Sequence, residues 1–303
     1  MTAPSLRSIE TPGSGHAFDL DDDVAYRAWR GWKLQHRPAD AAAITVDVVD
    51  PCALSVGERD LLLSHIAHAN MALYRSPPGD DDRDMPRRLG AQLGLQRLDA
   101  NWLADEDGIS SIQVSSASDG RGGFIPYTQQ AIRWHTDGYY HPSHRRIHGM
   151  LLHCVRPAAR GGVNRLLDPE LVYIALRDES PALVRALMRP DAMTIPARQG
   201  DDGEARAAQS GPVFSVDQGA LHMRYTARTR SIEWHADALV QAAAARLADL
   251  LNTELPGLLS VGLQAGMGVV GHNVLHDRSA FVDDPAQPRL LYRARFLDRA
   301  TAA

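Results

Sequence analysis

Helical patterns occupy the chain up to about residue 110, and strand patterns dominate after that point. One helical insertion, at about residues 168–190, interrupts the strands. This order predicts a mainly β fold with helical additions, built on a double-stranded β-helix of the jelly-roll or cupin-like kind. Such a core brings strand ends from distant parts of the sequence together at its mouth.

The N-terminal elements follow from local signals. Asp21–Gln35 is predicted as a helix with its aromatic residues on one side, and Ile44–Val49 alternates like a strand. Ser55 begins a capping box, so the apolar run Leu61–Tyr74 is predicted as the helix behind it. The acidic, proline-containing segment Ser76–Pro86 is predicted as an exposed loop, either a lid or a simple connection.

The later elements are mostly strands. Ile147–Val155 is a buried-strand candidate, and Asp168 caps a helical segment that is interrupted near Ser180. Asp217-Gln218-Gly219-Ala220 between two apolar runs is a hairpin signature. Asp237–Leu251 is rich in Ala and Leu and is predicted as a helix. Three further strands are predicted at Leu259–Leu263, Gly268–Leu275 and Arg289–Phe296.

Length and composition limit the classes of protein. The 303 residues predict a flexible tail at 1–20 and a single domain at 21–303, with its β core at about 111–297. No apolar run is long enough to cross a membrane, and the N-terminus lacks the apolar segment of a secretory signal. The net charge of −5 argues against nucleic-acid binding, and two cysteines make no disulfide framework, so we expect a cytoplasmic protein.

Two histidines and an aspartate are the strongest functional signal. His135 and Asp137 are two residues apart, so on an extended segment both side chains point the same way. His276 can join them from a distant strand. Two imidazoles and one carboxylate are the facial ligand set of non-haem Fe(II) oxygenases, which leaves the other coordination positions open. The three residues therefore predict a metal site.

Several residues around this trio are candidates for ligand contacts. Arg289 and Arg293 would face the same side of one strand, and a guanidinium near an open-faced iron suits a dicarboxylate. The paired glycines before Asn164 allow a close backbone approach. The aromatic residues that could form pocket walls or a cage for a quaternary ammonium are Trp134, Tyr139, Tyr140 and Tyr225, and core packing is the alternative role for at least two of them.

The chain resembles the Fe(II)/2-oxoglutarate-dependent dioxygenases of the TauD/TfdA superfamily, and most of all the branch of gamma-butyrobetaine and trimethyllysine hydroxylases. The segments that carry the resemblance are HTDGYY (135–140), LLHCVRP (151–157), GGVN (161–164), LLDPE (166–170), NVLHDRSAF (273–281) and RLLYR (289–293). They lie within residues 125–297. The N-terminal zinc module of that branch has no counterpart here, which weakens the transfer of its substrate.

The resemblance implies a role for each matched residue. His135, Asp137 and His276 would hold Fe(II), and no further catalytic residue is implied. Arg289 would bind the distal carboxylate of 2-oxoglutarate, with Asn164 near the co-substrate. Arg293 would point towards the pocket with a substrate or co-substrate role, and Tyr225 lies where family members often place substrate contacts. Trp134 and Tyr139 are further candidates for substrate contact, as pocket walls beside the trio. The implied reaction uses O₂ to convert 2-oxoglutarate to succinate and CO₂ and to hydroxylate an aliphatic carbon.

Alternatives remain open from the sequence. The same trio could hold zinc in a hydrolase, which would leave Arg289 without a function, or the chain could be a non-catalytic jelly roll that binds a metabolite. The substrate is expected to be a small amine, carboxylate or sulfonate. The superfamily also suggests a homo-oligomer.

Overall fold

A computed structural model describes residues 14–79, 81–99, 108–115, 124–198 and 206–301. Most of the predicted tail, residues 1–13, lies outside the described residues, as does Asp80 of the predicted loop. Within the described ranges, no helix is long and apolar enough to span a bilayer.

Seven α-helices surround the sheets in the described part of the chain. They are α1 Ser14–Ala17, α2 Asp23–Gln35, α3 Val56–Ala69, α4 Met85–Gln92, α5 Pro169–Glu179, α6 Pro181–Leu187 and α7 Ala238–Leu251. Capping residues set several of their starts. The predicted capping box of α3 is present, since Ser55 and Glu58 bond reciprocally, and the side chains of Asp168 and Asp237 accept backbone N–H groups at the starts of α5 and α7.

Seventeen described strands form two main sheets and three small ones. The strands are β1 Thr45–Asp47, β2 Met71–Arg75, β3 Ser110–Ile112, β4 Ile132–His135, β5 Gly149–Arg156, β6 Arg160–Gly161, β7 Asn164–Leu167, β8 Met193–Ile195, β9 Gln209–Gly211, β10 Phe214–Asp217, β11 Ala220–Met223, β12 Glu233–Trp234, β13 Leu259–Val261, β14 Met267–His272, β15 Leu275–Arg278, β16 Phe281–Val282 and β17 Leu290–Phe296. The major sheet has the order β1-β2-β14-β5-β17-β3, and the minor sheet has the order β13-β7-β15-β4. Every pairing in them is antiparallel except β1 with β2.

The two main sheets face each other across an apolar layer. Leu291 and Cys154 of the major sheet pack in one buried cluster with Leu166 and Val261 of the minor sheet. We call the sheet surfaces on this side the inner faces. Helices α3 and α4 cover the outer face of the major sheet, and α2, α5, α6 and α7 pack with the outer face of the minor sheet. This arrangement agrees with the predicted jelly-roll core and helical additions.

Local predictions held at some segments and were wrong at others. The hairpin between β10 and β11 is present, with positive φ at Gln218 and Gly219. The predicted helix Leu61–Tyr74 is wrong at its end, because Asn70 takes a left-handed φ of 60° and ends α3. Met71–Arg75 is instead a strand in the middle of the major sheet, buried on both faces. A continuous apolar run does not distinguish a buried strand from a helix.

Two other boundaries differ from the prediction. The predicted single strand Gly268–Leu275 is two strands, β14 and β15, which belong to different sheets. The predicted loop Ser76–Pro86 stops at Asp84, because Met85 and Pro86 form the first turn of α4. The role of this loop as a lid stays a prediction.

Candidate metal centre

The minor sheet brings the three predicted metal ligands together. His135 is the last residue of β4, Asp137 follows it by two positions, and His276 of β15 is paired directly opposite His135. One ligand atom from each residue lies within 4.8 Å of the other two, and the two imidazole centroids are 4.2 Å apart. The described residues contain no other such group of three.

Hydrogen bonds orient both imidazoles. The Nδ1 atom of His135 is 2.9 Å from the carbonyl oxygen of Arg133, and the Nδ1 atom of His276 is 2.9 Å from that of Val274. A carbonyl only accepts, so Nδ1 must carry the proton in each ring, and Nε2 keeps its lone pair. Burial and, to a smaller extent, the nearby His276 lower the pKa of His135 to about 3, so the His135 ring is neutral at pH 7. The hydrogen bonds leave the Nε2 atom of each ring available to a metal ion.

The Asp137 carboxylate is ionised, and only one of its two oxygens accepts a hydrogen bond from the described residues. Burial alone would raise its pKa, but the nearby Arg293 and Arg295 guanidinium groups hold that pKa below its usual range. Arg293 Nη1 donates to Oδ1 over 3.3 Å, whereas the buried Oδ2 atom has no hydrogen-bond partner. A buried carboxylate oxygen without a partner is costly in a folded protein. A cation beside Oδ2 removes that cost, so this donor set fits a divalent metal ion.

Asn273 positions the metal-ligand segment and was missed by the sequence reasoning. Its Oδ1 atom accepts from the Asp137 backbone N–H over 2.8 Å, and its Nδ2 group donates to the Asp137 carbonyl over 2.8 Å. The same Nδ2 group donates to the Ile147 carbonyl over 2.9 Å. Asn273 therefore fastens the turn after β4 to the start of the next segment. Its closeness in sequence to His276 was the available signal.

The inner face of β17 carries a row of arginines. Leu290, Tyr292, Ala294 and Phe296 point outward into the cluster under α3 and α4, so the alternate residues point inward. Arg293 contacts Asp137 there, and Arg295 Nη2 lies 2.8 Å from Asp99 Oδ2. Arg289 has the same inward parity, since it lines a cavity with Leu291 and Cys154. The prediction that Arg289 and Arg293 share a side is confirmed.

Arg289 lies in a cavity of about 320 Å³ that Asn164 and Gly162 also line. Its side chain is buried, and among the described residues its guanidinium has no hydrogen bond and no carboxylate within ion-pair distance. Burial lowers its pKa from the ordinary value. Arg278 points to the same region, since it pairs opposite Asn164, and both guanidinium groups lie against the ring of Phe281, at 4.7 Å for Arg278 and 4.9 Å for Arg289. Sequence reasoning missed Arg278.

The paired glycines shape this cavity. Gly161 has a φ of +76°, and a Cβ atom there would meet the Ala280 carbonyl oxygen at 2.3 Å. The chain can therefore pair β6 with β16 only with glycine at this position. At Gly162, with a φ of +69°, a Cβ would come within 3.7 Å of Arg289 Nε. The predicted close approach is present, and it borders the Arg289 guanidinium.

Trp134 and Tyr225 lie on the other side of the minor sheet. Trp134 Nε1 donates to the Leu251 carbonyl over 2.9 Å, and both aromatic rings pack in the cluster beneath α7. Arg165 stacks on Trp134 with 4.8 Å between its guanidinium carbon and the ring centroid. This placement favours the packing role for these two aromatics. Both residues also line a cavity of about 860 Å³ together with Arg165, so their predicted contact with a substrate stays a prediction.

Tyr139 is the aromatic residue that lies beside the metal-ligand strand. Its hydroxyl lies near Thr226, whose backbone is bridged to His135. Burial raises the pKa of Tyr139, and the positive charges of Arg228 and Arg206 oppose that shift. Among the described residues Arg228 has no carboxylate partner, and Arg206 donates only to the Pro196 carbonyl, with a buried Nε that has no acceptor. The surroundings of Tyr139 are thus positively charged.

Comparison with known proteins gives one family match and several similar relatives. The family model described as "Taurine catabolism dioxygenase TauD, TfdA family" matches residues 34–295. A uridine-5′-phosphate dioxygenase of a Streptomyces species is 34% identical over 201 residues, which is 63% of this chain and 69% of that protein. A uridine-5′-phosphate dioxygenase of an Amycolatopsis species is 33% identical over 180 residues, 56% of this chain and 62% of that protein.

Solved structures show the same fold at low identity. An asparagine oxygenase in complex with Fe(II), 2S,3S-3-hydroxyasparagine and succinate has a TM-score of 0.59 at 17% identity, covering 94% of this chain and 90% of its own. AAD-2 in complex with Mn(II) and N-oxalylglycine also has a TM-score of 0.59, at 16% identity, covering 86% of this chain and 96% of its own. These likenesses confirm the predicted fold class.

Proposed function

This chain belongs to the taurine catabolism dioxygenase TauD, TfdA family, and we propose that the small metabolite it oxidises is a nucleoside 5′-phosphate. The family confirms the predicted activity, an Fe(II)- and 2-oxoglutarate-dependent dioxygenase acting on a small metabolite. The predicted closeness to the gamma-butyrobetaine and trimethyllysine hydroxylases is not confirmed, because the curated relatives are uridine-5′-phosphate dioxygenases. The cytoplasmic location and the homo-oligomer stay predictions.

We assign Fe(II) to His135, Asp137 and His276. The two oriented Nε2 atoms and the unpartnered Asp137 Oδ2 support this assignment, as does the 4.8 Å limit that encloses the ligand atoms. When bound, Fe(II) with 2-oxoglutarate and O₂ supplies an oxidant that can take hydrogen from an unactivated carbon. Arg293 keeps Asp137 charged and oriented, and the burial of Asp137 and His276 keeps bulk water away.

Arg289 carries the proposal that 2-oxoglutarate binds between the sheets. A buried guanidinium with no acceptor is unfavourable unless an anion joins it, and a carboxylate matches its fork with two parallel hydrogen bonds. Asn164 lines the same cavity and has one weak bond, to the Gly162 carbonyl at 3.4 Å, so its amide can turn to a ligand. A hydrolase that used the trio for zinc would leave this buried charge unexplained.

Positive charge around Tyr139 supports an anionic substrate. Arg206 and Arg228 both act on the Tyr139 hydroxyl, two residues beyond Asp137. Guanidinium groups favour phosphate and oppose a quaternary ammonium, so a cage for a trimethylated amine is disfavoured here. The two uridine-5′-phosphate dioxygenases among the relatives direct the proposal to a nucleotide.

Turnover assays test both the metal assignment and the substrate class. Wild-type protein with Fe(II), 2-oxoglutarate and O₂ should release succinate when uridine 5′-phosphate is added and not when uridine is added. His276→Ala should abolish that release, while the exposed His144→Ala should preserve it. Unchanged turnover in His276→Ala would refute the metal assignment. Release with amines or amino acids but not with nucleotides would refute the substrate class and leave the metal assignment intact.

A further inference from the structure

A second cavity lies beside the metal-ligand segment, on the side of the β10–β11 hairpin. Its volume is about 220 Å³, and we call it the hairpin cavity. Its polar lining includes Thr136, Arg146, Ser210, Ser215, His222 and Arg224. It shares no lining residue with the Arg289 cavity. The roles given above to the metal ligands and to Arg289 therefore do not account for it.

His222 of β11 is a buried side chain without a polar partner. It is 8% exposed, and none of its ring nitrogens has a hydrogen bond to the described residues. Its ring lies 5.2 Å from that of His148. Burial lowers the pKa of His222 well below the ordinary value, and its charged neighbours, which are His148, Arg146, Arg299 and Arg224, all act in the same direction. The imidazole is therefore neutral, with one N–H donor and one acceptor nitrogen, and it lines the cavity.

The charges that face the cavity are positive. Arg146 is half-buried, and among the described residues its guanidinium has no acceptor. Arg224 donates to four backbone carbonyls, of Tyr139, Met193, Gly211 and Gln209, so its charge is hydrogen-bonded but not neutralised by any carboxylate.

Two carboxylates near the hairpin do not balance this charge. Asp137 lines the cavity, but its carboxylate is held by Arg293 at the metal centre. Asp217 lies at the tip of the hairpin, half exposed, with Oδ2 3.7 Å from His148 Nε2, and it does not line the cavity. A concave site with an unpaired guanidinium, a buried N–H donor and serine hydroxyls has the chemistry of an oxyanion site.

We propose that the hairpin cavity binds a phosphate-class oxyanion, held by Arg146 and His222 and attracted by the charge of Arg224. The ligand is either free phosphate or the phosphoryl group of a bound molecule. The Thr136–Gly138 segment forms one wall, so the anion lies directly behind the segment that carries Asp137.

Calorimetric titration of the metal-free, full-length protein with inorganic phosphate in chloride buffer tests the site. Wild-type protein should bind, and Arg146→Met or His222→Phe should weaken binding by about tenfold or more, as expected for loss of a charge-assisted hydrogen bond. Arg27→Met removes one exposed arginine on α2 and is the matched control, with unchanged affinity expected. No binding by the wild type, or equal affinity in Arg146→Met, would overturn the proposal.

Uridine 5′-phosphate then identifies the source of the anion. If phosphate displaces the nucleotide and Arg146→Met weakens both ligands, the cavity takes the phosphoryl group of the substrate. If nucleotide binding is unaffected by phosphate and by Arg146→Met, the cavity is a separate site for free phosphate. Both results support the anion site. Because no iron is present, a negative result here is distinct from a failure of the proposed catalytic function.

Discussion

The two ends of the inner row of β17 hold arginines in opposite electrostatic situations. At one end, Arg293 is paired with Asp137 and Arg295 with Asp99, so the buried charges compensate each other. At the other end, Arg289 has no carboxylate partner among the described residues. It shares the ring of Phe281 with Arg278 of β15, whose guanidinium, within the described part of the chain, donates only to backbone carbonyls. Buried charge is tolerated when it is paired. The first end is therefore compensated within the protein, and we propose that an anionic ligand compensates the second.

Removing the carboxylate from the compensated end should have the largest effect on stability. Asp99→Asn leaves Arg295 buried without its counter-charge, which should lower the free energy of unfolding by about 3 kcal/mol or more. Urea denaturation of the metal-free protein measures the loss. The exposed Asp249→Asn on α7 serves as a comparison and should change little. A loss of unfolding free energy below about 1 kcal/mol would show that the Arg295–Asp99 ion pair contributes little to stability.

Removing a charge from the uncompensated end should affect ligand binding instead. Arg289→Met takes away a guanidinium with no internal partner, so we expect a change in unfolding free energy of less than about 1 kcal/mol. Affinity for 2-oxoglutarate should fall by about 100-fold, because a bidentate charged contact is lost. Equilibrium binding of 2-oxoglutarate to the Fe(II) protein measures this. A large loss of unfolding free energy with unchanged affinity for 2-oxoglutarate would show that Arg289 contributes to stability and not to ligand binding.

His153 tests the effect of burial on a titratable group that has no charged partner in the described part of the chain. Its Nδ1 atom lies 2.9 Å from the Tyr74 hydroxyl, and burial lowers its pKa to about 4. Since the unfolded pKa is about 6.5, its contribution to stability is complete above that pH and is lost as pH falls towards 4. Between pH 7 and pH 5 the loss should be about 2 kcal/mol. Denaturation of His153→Asn at both pH values should show a correspondingly smaller drop, and an identical drop would contradict the assignment.

Phe281 should have the smallest effect of this set. Its ring lies between two guanidinium groups, and each such contact contributes about 0.5–1 kcal/mol. Phe281→Leu should therefore weaken 2-oxoglutarate binding by a few-fold, through a less well held Arg289. Equilibrium binding of 2-oxoglutarate to Phe281→Leu and to Arg289→Met, measured in parallel, gives the ratio of the two losses in affinity. If Phe281→Leu lowered the affinity for 2-oxoglutarate as much as Arg289→Met does, then the Phe281 ring, and not the Arg289 charge, would determine binding.

The sequence predicted the metal-ligand trio because the residue types and two-residue spacing of His135 and Asp137 are local signals, and because the segment around His276 carries the family resemblance. It predicted the parity of Arg289 and Arg293 because their spacing is also a local signal. It did not predict Asn273, Asp99 or Arg278, since their roles depend on which loops and strands converge in space. The roles of Trp134 and Tyr225 depended on which face of the minor sheet α7 covers, and periodicity alone does not reveal that face.

The predicted boundaries of helices and strands were wrong where a strand is buried on both faces of its sheet. Met71–Arg75 is covered on both faces, so it reads as an apolar run that continues α3. Only the left-handed Asn70 separates helix from strand there. Asn273 and Val274 between β14 and β15 likewise carry the chain from one sheet to the other, without a glycine or proline to mark the change.

The central claim is that the two ends of this row serve one centre, with Fe(II) at the His135, Asp137 and His276 end and 2-oxoglutarate reaching Arg289. The most direct measurement is an anaerobic visible spectrum of the metal-free protein during addition of Fe(II) and then 2-oxoglutarate. We expect a charge-transfer absorption band in the wild type, a much weaker one in Arg289→Met at the same 2-oxoglutarate concentration, and none in His276→Ala. Bound Fe(II) with no band in the wild type, or an equal band in Arg289→Met, would contradict the account.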